Sequence, residues 1–312
     1  MLTALQMITT SRVIWFALLV CACSTSSETA ATIADRRAAV DDGGDPDGDG
    51  NNGNVADAAS TKDSDGGTLS NGPLPSAFGS YVVLGDSISD VGAGPQTGPF
   101  YRDLLYQNDD TLYPAWKGIT LKDKFGVTQY VPKAVGGSRT SELALELGTV
   151  PAGLATPILV TVTSGGNDMT ASLGDILLNP TASAADAQRT ADNVDAFLQA
   201  VEGKYPGQVY VLQADVYDPS GDTGNFASCP NLIPIDKKVD QATFAQWNGL
   251  IHAAIAKHPY AYTAPLHDTF LGHDVHSADN WFYIDCIHPT PKGHHHIRRM
   301  FWKLLTGQDG PS

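Results

Sequence analysis

A serine, a histidine and a carboxylate that can meet in space make a nucleophile, a general base and the group that orients the base. The chain carries these types in short polar clusters. Gly85-Asp86-Ser87 ends the apolar run Tyr81–Leu84, a setting in which a serine can attack once a base takes its proton. Asp285-Cys-Ile-His288-Pro289 supplies the carboxylate and the base three residues apart. Serine attack on an acyl carbon also needs two or three fixed N–H donors for the oxyanion, together worth several kcal/mol of barrier. The candidates are the Ser87 amide, an amide within Ala134-Val-Gly136-Gly137-Ser138, and the Asn167 side chain in Gly165-Gly166-Asn167-Asp168.

Taken singly, each cluster has a plainer explanation. Gly-Asp-Ser is commoner as a turn, a Gly-Gly pair as a bend, Asn167 and Asp168 as a helix cap, and a histidine before proline as a surface residue. Four clusters in this order weigh together, because four independent explanations would have to hold at once.

The elements that must position them read as α/β. Tyr81–Leu84, Pro157–Thr163 and Gln208–Gln213 are β-rich runs, and the first two pass directly into the Gly-rich turns. Helical stretches are expected at Ser183–Val201, Lys237–Lys257 and Gly293–Leu305. The last has Ile297, Met300, Phe301, Leu304 and Leu305 on one face. Strands alternating with helices predict right-handed crossovers and a mainly parallel sheet covered on both faces, a three-layer α/β/α sandwich. Ligands in such sheets gather at the carboxyl ends of the strands, where the clusters lie.

The order Ser, Gly, Asn, Asp-x-x-His resembles the SGNH, or GDSL, hydrolase family over nearly all of residues 80–305. Val-Leu-Gly85-Asp86-Ser87-Ile-Ser-Asp90 is close to the family's first block, with Ile88 in place of the usual Leu. Ala134-Val-Gly136-Gly137-Ser-Arg-Thr140 is similar to the second, with Gly137 the better match to the oxyanion donor; Arg139, where Thr or Ser is commoner, leaves Gly136 open. Gly165-Gly166-Asn167-Asp168 and Asp285-Cys-Ile-His288-Pro289 match the third and fourth. The resemblance implies Ser87 as nucleophile, His288 as base, Asp285 as its partner, an oxyanion hole of Ser87, Gly137 and Asn167, and no metal or organic cofactor. The α/β-hydrolase fold is the competing serine hydrolase. Its G-x-S-x-G elbow lacks its second glycine here, because Ser89 stands in that place, and its acid and histidine lie far apart in sequence.

The remaining polar groups are assigned more modest roles. Asp86 and Asp168 are expected to be structural hydrogen-bonders. His294-His295-His296 are consecutive helical positions that point in different directions, so they do not make a metal site. His294 is expected near the active site and the other two in solvent. Trp247 and Trp281-Phe-Tyr283 are read as core.

Ahead of this domain the composition changes. Arg12 precedes a ten-residue apolar run, Val13–Ala22, too short to span a bilayer but suited to an export signal. It ends at Val20-Cys21-Ala22-Cys23, which resembles a bacterial lipobox with Cys23 as the lipidated residue. Residues 24–77 contain no aromatic residue, with ten acidic and three basic side chains, and read as a disordered acidic linker. Within it, Asp45-Pro-Asp47-Gly-Asp49-Gly-Asn51 has the spacing of a calcium loop but Ala56 where the bidentate glutamate belongs. The domains expected are thus 1–23 signal, 24–77 linker, 78–307 hydrolase and 308–312 tail. A net charge of −15 argues against a nucleic-acid partner. Of the four cysteines, Cys229 and Cys286 are those left to an exported domain, and an even pair there is expected to be bonded.

The function expected is an exported serine esterase or lipase, held in the cell envelope by its lipid or secreted, acting on an acyl lipid, an acetylated polysaccharide or a small ester. Two alternatives use the same residues differently. An acyltransferase would pass the acyl group to an alcohol instead of water, and a non-catalytic surface lipoprotein would have lost activity.

Overall fold

The computed structural model describes residues 74–227, 229 and 238–311. The export signal, Cys23, the linker as far as residue 73 and the calcium-like segment lie outside the described residues. Five strands form one sheet: Ser80–Gly85 (β1), Gln129–Pro132 (β2), Ile158–Thr163 (β3), Val209–Ala214 (β4) and Ala261–Ala264 (β5). In chain order the α-helices are Tyr101–Tyr106 (α1), Leu121–Lys124 (α2), Leu143–Thr149 (α3), Gly166–Ala171 (α4), Leu173–Leu178 (α5), Pro180–Lys204 (α6), Gln241–Ile255 (α7), Leu266–Phe270 (α8) and Pro291–Thr306 (α9). Every strand pair is parallel, in the order β2-β1-β3-β4-β5.

Side chains alternate across each strand, so a sheet covered on both faces needs apolar residues at successive positions. β1 and β3 meet this demand and are buried along their whole length. Val82, Leu84, Ile158, Val160, Val162, Val209 and Val211 pack with Leu143 of α3, Phe197 of α6 and Ile251 of α7. Tyr81, Val83, Leu159, Leu212 and Ala214 pack on the opposite face with Tyr101 of α1, Phe270 of α8 and Phe301 of α9. The fold is therefore α/β, a parallel sheet between two helical layers.

Helix starts follow their capping residues. Asn179 accepts from the Ala182 N–H ahead of α6, Asp240 from Ala242 ahead of α7, and Thr290 from Gly293 ahead of α9. These caps correct three expected helix boundaries. α6 begins at Pro180 and runs to Lys204, α7 begins only after Asp240, and α9 begins at Pro291 with its proline at the first position, where no N–H is needed.

β2 and β5 were not among the expected strands. β2 is a half-exposed edge strand ending in proline, and β5 is Ala-Tyr-Thr-Ala, with small residues where a branched aliphatic would signal a strand. In the segment after α9, read as a tail over 308–312, the Pro311 carbonyl accepts the indole N–H of Trp116, and Gly310 lies against the same ring. Leu74 likewise packs on the core, ahead of the expected start at 78. Among the described residues no helix is long and apolar enough to cross a membrane.

Candidate active site

β1, β2 and β3 all release their chains at the same edge of the sheet, and the three turns there carry Ser87, Gly136-Gly137 and Asn167. The first turn depends on Gly85. Its φ is +110°, and a Cβ there would lie 1.9 Å from the Thr163 carbonyl of the neighbouring strand. The chain then bends so that Asp86 N–H donates to that same carbonyl.

The fourth cluster is brought to this edge by a loop between α8 and α9. A bridge joins Phe282 to Pro289, Tyr283 N–H donates to the His288 carbonyl, and Cys286, at φ +60°, turns the loop at its tip. The Tyr217 hydroxyl donates to the Ile287 carbonyl and Cys229 is disulfide-bonded to Cys286, so the tip is tied to the chain that follows β4.

His288 Nε2 lies 2.8 Å from Ser87 Oγ, and His288 Nδ1 lies 2.5 Å from Asp285 Oδ2. The other Asp285 oxygen accepts the backbone N–H groups of Ile287 and His288. Burial alone would raise the Asp285 carboxyl, but these hydrogen bonds outweigh it and hold the group below the ordinary carboxylate value. Asp285 therefore stays ionised. It fixes the proton on Nδ1 and leaves Nε2 free to accept from Ser87.

The three expected oxyanion donors differ in how far they are already engaged. The Ser87 and Gly137 N–H groups make no hydrogen bond within the described residues, whereas Gly136 N–H is taken by Asp90 Oδ2 at 2.9 Å. That engagement separates the two glycines, which the sequence left open: only Gly137 has its amide to offer. Asn167 uses one amide hydrogen on the Ser138 carbonyl at 2.9 Å, and that bond holds its side chain beside the second turn.

The turns are joined to each other by carboxylates. Asp86 Oδ1 accepts from Thr163 Oγ1 and from the Ile88 N–H, and burial pushes its pKa up to about 6. Asp168 accepts both the N–H and the hydroxyl of Thr140; burial raises its carboxyl too. Both match the structural role expected of them.

Glu146, absent from the sequence reading, does the most joining. One oxygen accepts from Gly85 N–H at 2.7 Å and the other from Ser138 Oγ at 2.5 Å. It is 4% exposed, and burial raises its pKa to about 7. No sequence motif signals it, because its partners come from two other turns.

Two more residues escaped the sequence reading. Gln96, buried, donates to the Ser87 carbonyl at 2.6 Å and accepts from His294 Nε2 at 2.7 Å. Burial lowers His294 to about 3, so the ring is neutral, and its one proton sits on Nε2 because the Gln96 oxygen can only accept. Gly94, at φ +64°, faces the His288 ring, where an added Cβ would stand 2.5 Å from Cε1.

The other two histidines of the triplet differ from expectation. His295 is not solvated: it is 8% exposed, stacked on Tyr113 at 4.4 Å, and its Nδ1 accepts from Arg298. His296 is half-buried and stacks on Trp281 at 3.7 Å, while His273 covers the other face of that indole. The three rings thus enter three different environments. An aromatic shell around the start of α9, contributed by Tyr113, Trp116 and Trp281, covers the face assigned to water.

A family model for the GDSL-like Lipase/Acylhydrolase family matches residues 83–296. Solved structures similar to this chain include a lipase from a goat rumen metagenome. It is 17% identical with a TM-score of 0.50, and the match covers 71% of this chain and 95% of that one. A variant of an acetyl-xylooligosaccharide esterase from Geobacillus stearothermophilus is 14% identical with a TM-score of 0.51, covering 77% of this chain and 100% of that one. At such identities the likeness is one of fold. A search of curated proteins finds none that matches.

Proposed function

The chain belongs to the GDSL-like lipase/acylhydrolase family and is a carboxylic ester hydrolase; from that premise we propose that it acts through a Ser87-His288-Asp285 triad and an acyl-enzyme. The observation that carries this reading is the hydrogen-bonded chain from Ser87 Oγ through both nitrogens of His288 to an ionised Asp285.

Ser87 Oγ attacks the ester carbon as its proton passes to His288 Nε2. Asp285 stabilises the imidazolium that forms. The carbonyl oxygen, now carrying the charge, takes hydrogen bonds from Ser87 N–H, Gly137 N–H and the Asn167 amide. When the tetrahedral intermediate collapses, the bond to the alcohol breaks and His288 returns its proton to the leaving oxygen. A water then repeats the attack with His288 as base, releasing the acid and restoring Ser87.

The test is substitution of either partner. Ser87→Ala and His288→Ala should each lower kcat for ester hydrolysis by about 10⁴-fold or more, with unchanged thermal midpoints, and the double variant should cost little more. Turnover near the wild-type rate in either single variant rejects the triad.

We further propose that the enzyme is exported and anchored through a lipidated Cys23. Support comes from the apolar run after Arg12, the Ala22-Cys23 junction, and a disulfide of the kind that persists in oxidising compartments. Cys23→Ser should shift the protein from the membrane fraction to the soluble fraction, because one acyl chain with its neighbours is then lost. A wild-type protein found only in the soluble fraction would leave plain secretion.

A further inference from the structure

An apolar cavity opens beside the nucleophile on the side of α4 and α5, and nothing in the mechanism above uses it. Ser87, Ile88 and Asn167 line it together with Met169, Leu173, Ile176, Val216, Phe226 and Phe244. We propose that this cavity is the acyl pocket and that it makes the enzyme selective for esters of short-chain fatty acids of about four carbons over acetate and over long chains. The inference rests on Ser87 being the nucleophile.

Which half of the ester enters follows from the proton's path. The leaving oxygen must lie at His288 Nε2 to be protonated as it departs. His288 does not line the cavity, while Ser87 and Asn167 do. The alcohol is therefore on the histidine side, and the cavity receives the chain attached to the carbonyl carbon.

The walls also state the chemistry of the occupant. A site that binds a polar group leaves donors or acceptors waiting for it. Apart from Ser87 and Asn167, which serve the reacting carbonyl, the polar side chains of the lining are already engaged. Asp86 accepts from Thr163 and Ile88, Asp215 accepts from His252 Nε2 and the His267 N–H, and Ser164 accepts from Gln213. Among the described residues, none of the buried polar side-chain atoms without a partner belongs to the lining. A hydrocarbon fits such a surface, and a sugar does not.

Size sets the length. The cavity volume is about 90 Å³, and a methylene takes a share close to the roughly 30 Å³ of a water in the liquid, so about three fit. An acyl chain of about four carbons, the carbonyl included, fills it. Each methylene buried there should raise kcat/KM by about fourfold until the cavity is full.

The experiment compares kcat/KM for p-nitrophenyl acetate, butyrate and palmitate. Butyrate should exceed both of the others by at least about tenfold. Ile176→Trp adds bulk from a half-buried position and should lower the butyrate-to-acetate ratio by about tenfold. Leu173→Phe, from the same helix, provides a second variant if the first does not fold. A wild type fastest on acetate or on palmitate overturns the proposal, as does a ratio unchanged in a folded variant. Ser87→Ala separates the two layers of argument. If it is inactive on all three esters while the length profile is flat, only the pocket assignment fails; if it stays active, the triad fails.

Discussion

Gly94 has no side chain, and the His288 ring occupies the space one would take. In the proposed mechanism His288 holds three relations at once, to Ser87 Oγ, to Asp285 and to the departing alcohol, so a small displacement of its ring acts on all of them. Gly94→Ala puts a methyl 2.5 Å from Cε1 and 2.7 Å from Nδ1, closer than carbon and nitrogen tolerate. The ring must move, because the methyl is fixed to the backbone. Misplacement on the scale of an ångström costs about 10²-fold in rate, so kcat for the variant should fall about 10- to 100-fold. The positive φ at this position adds about 1 kcal/mol of strain. A thermal melt with only a small loss, beside a large loss in kcat, is the expected pair of results. A kcat within twofold of wild type would show that His288 relaxes without consequence. Ser87, Asn167, Asp285 and His288 were legible in the sequence as candidates because their types carry chemistry and their neighbours are distinctive. Gly94 and Gln96 were not. Their roles are to leave space and to hold a backbone carbonyl, and both depend on what lies opposite them in the folded chain.

The strand-end turns form one unit because buried carboxylates join them, and Glu146 of α3 holds the first to the second. Its folded-state pKa is about 7 against an ordinary 4.5, the rise being due to burial. Between those values the folded protein keeps a proton that the unfolded chain gives up. Stability then falls as pH rises through that window, by at most about 3 kcal/mol for a shift of this size. Glu146→Gln keeps an oxygen for Gly85 N–H, offers an amide to Ser138 Oγ, and does not titrate. Urea unfolding at pH 5 and pH 8 should show the variant gaining on the wild type by about 1–3 kcal/mol at the higher pH. A difference between the two proteins that is the same at both pH values would remove Glu146 as the source. The same scale separates what the sequence discloses from what it hides. β1, β3 and β4 are continuous apolar runs because helices cover both of their faces. β2 at an exposed edge and β5 with its small residues have no such requirement, and their places are set by neighbouring strands. Glu146 is hidden for a related reason: its bond to Gly85 spans 61 positions, and only the sheet brings the two together.

Across the whole molecule, the Cys229–Cys286 bond closes a loop whose ends are 57 residues apart and which contains α7, β5 and α8. In the unfolded chain that closure removes conformations, and the chain-entropy estimate for a loop of this length is about 4 kcal/mol of stability. The position of the bond gives it a second effect. Cys286 stands between Asp285 and His288 at the tip of the loop that carries both, whose other ties include the Phe282–Pro289 bridge, the hydrogen bond from Tyr217 to Ile287 and that from Thr97 N–H to the Tyr283 hydroxyl. With the bond cut, those ties keep the loop near the sheet, but its tip gains freedom where the acid and the base are attached. Reduction should therefore act on rate as well as on stability. The Cys229→Ala/Cys286→Ala variant should unfold at a lower urea concentration, with a loss approaching 4 kcal/mol. Below its unfolding transition it should keep substrate KM while kcat drops about tenfold, since the disturbed group is the proposed proton carrier and not the proposed acyl pocket. Intact mass under denaturing conditions provides the control: the wild type should resist alkylation without reductant at both cysteines. If both thiols alkylate, there is no bond to cut. If the variant matches the wild type in kcat while losing stability, the cross-link restrains only the unfolded chain, and the remaining ties suffice to hold His288 against Ser87.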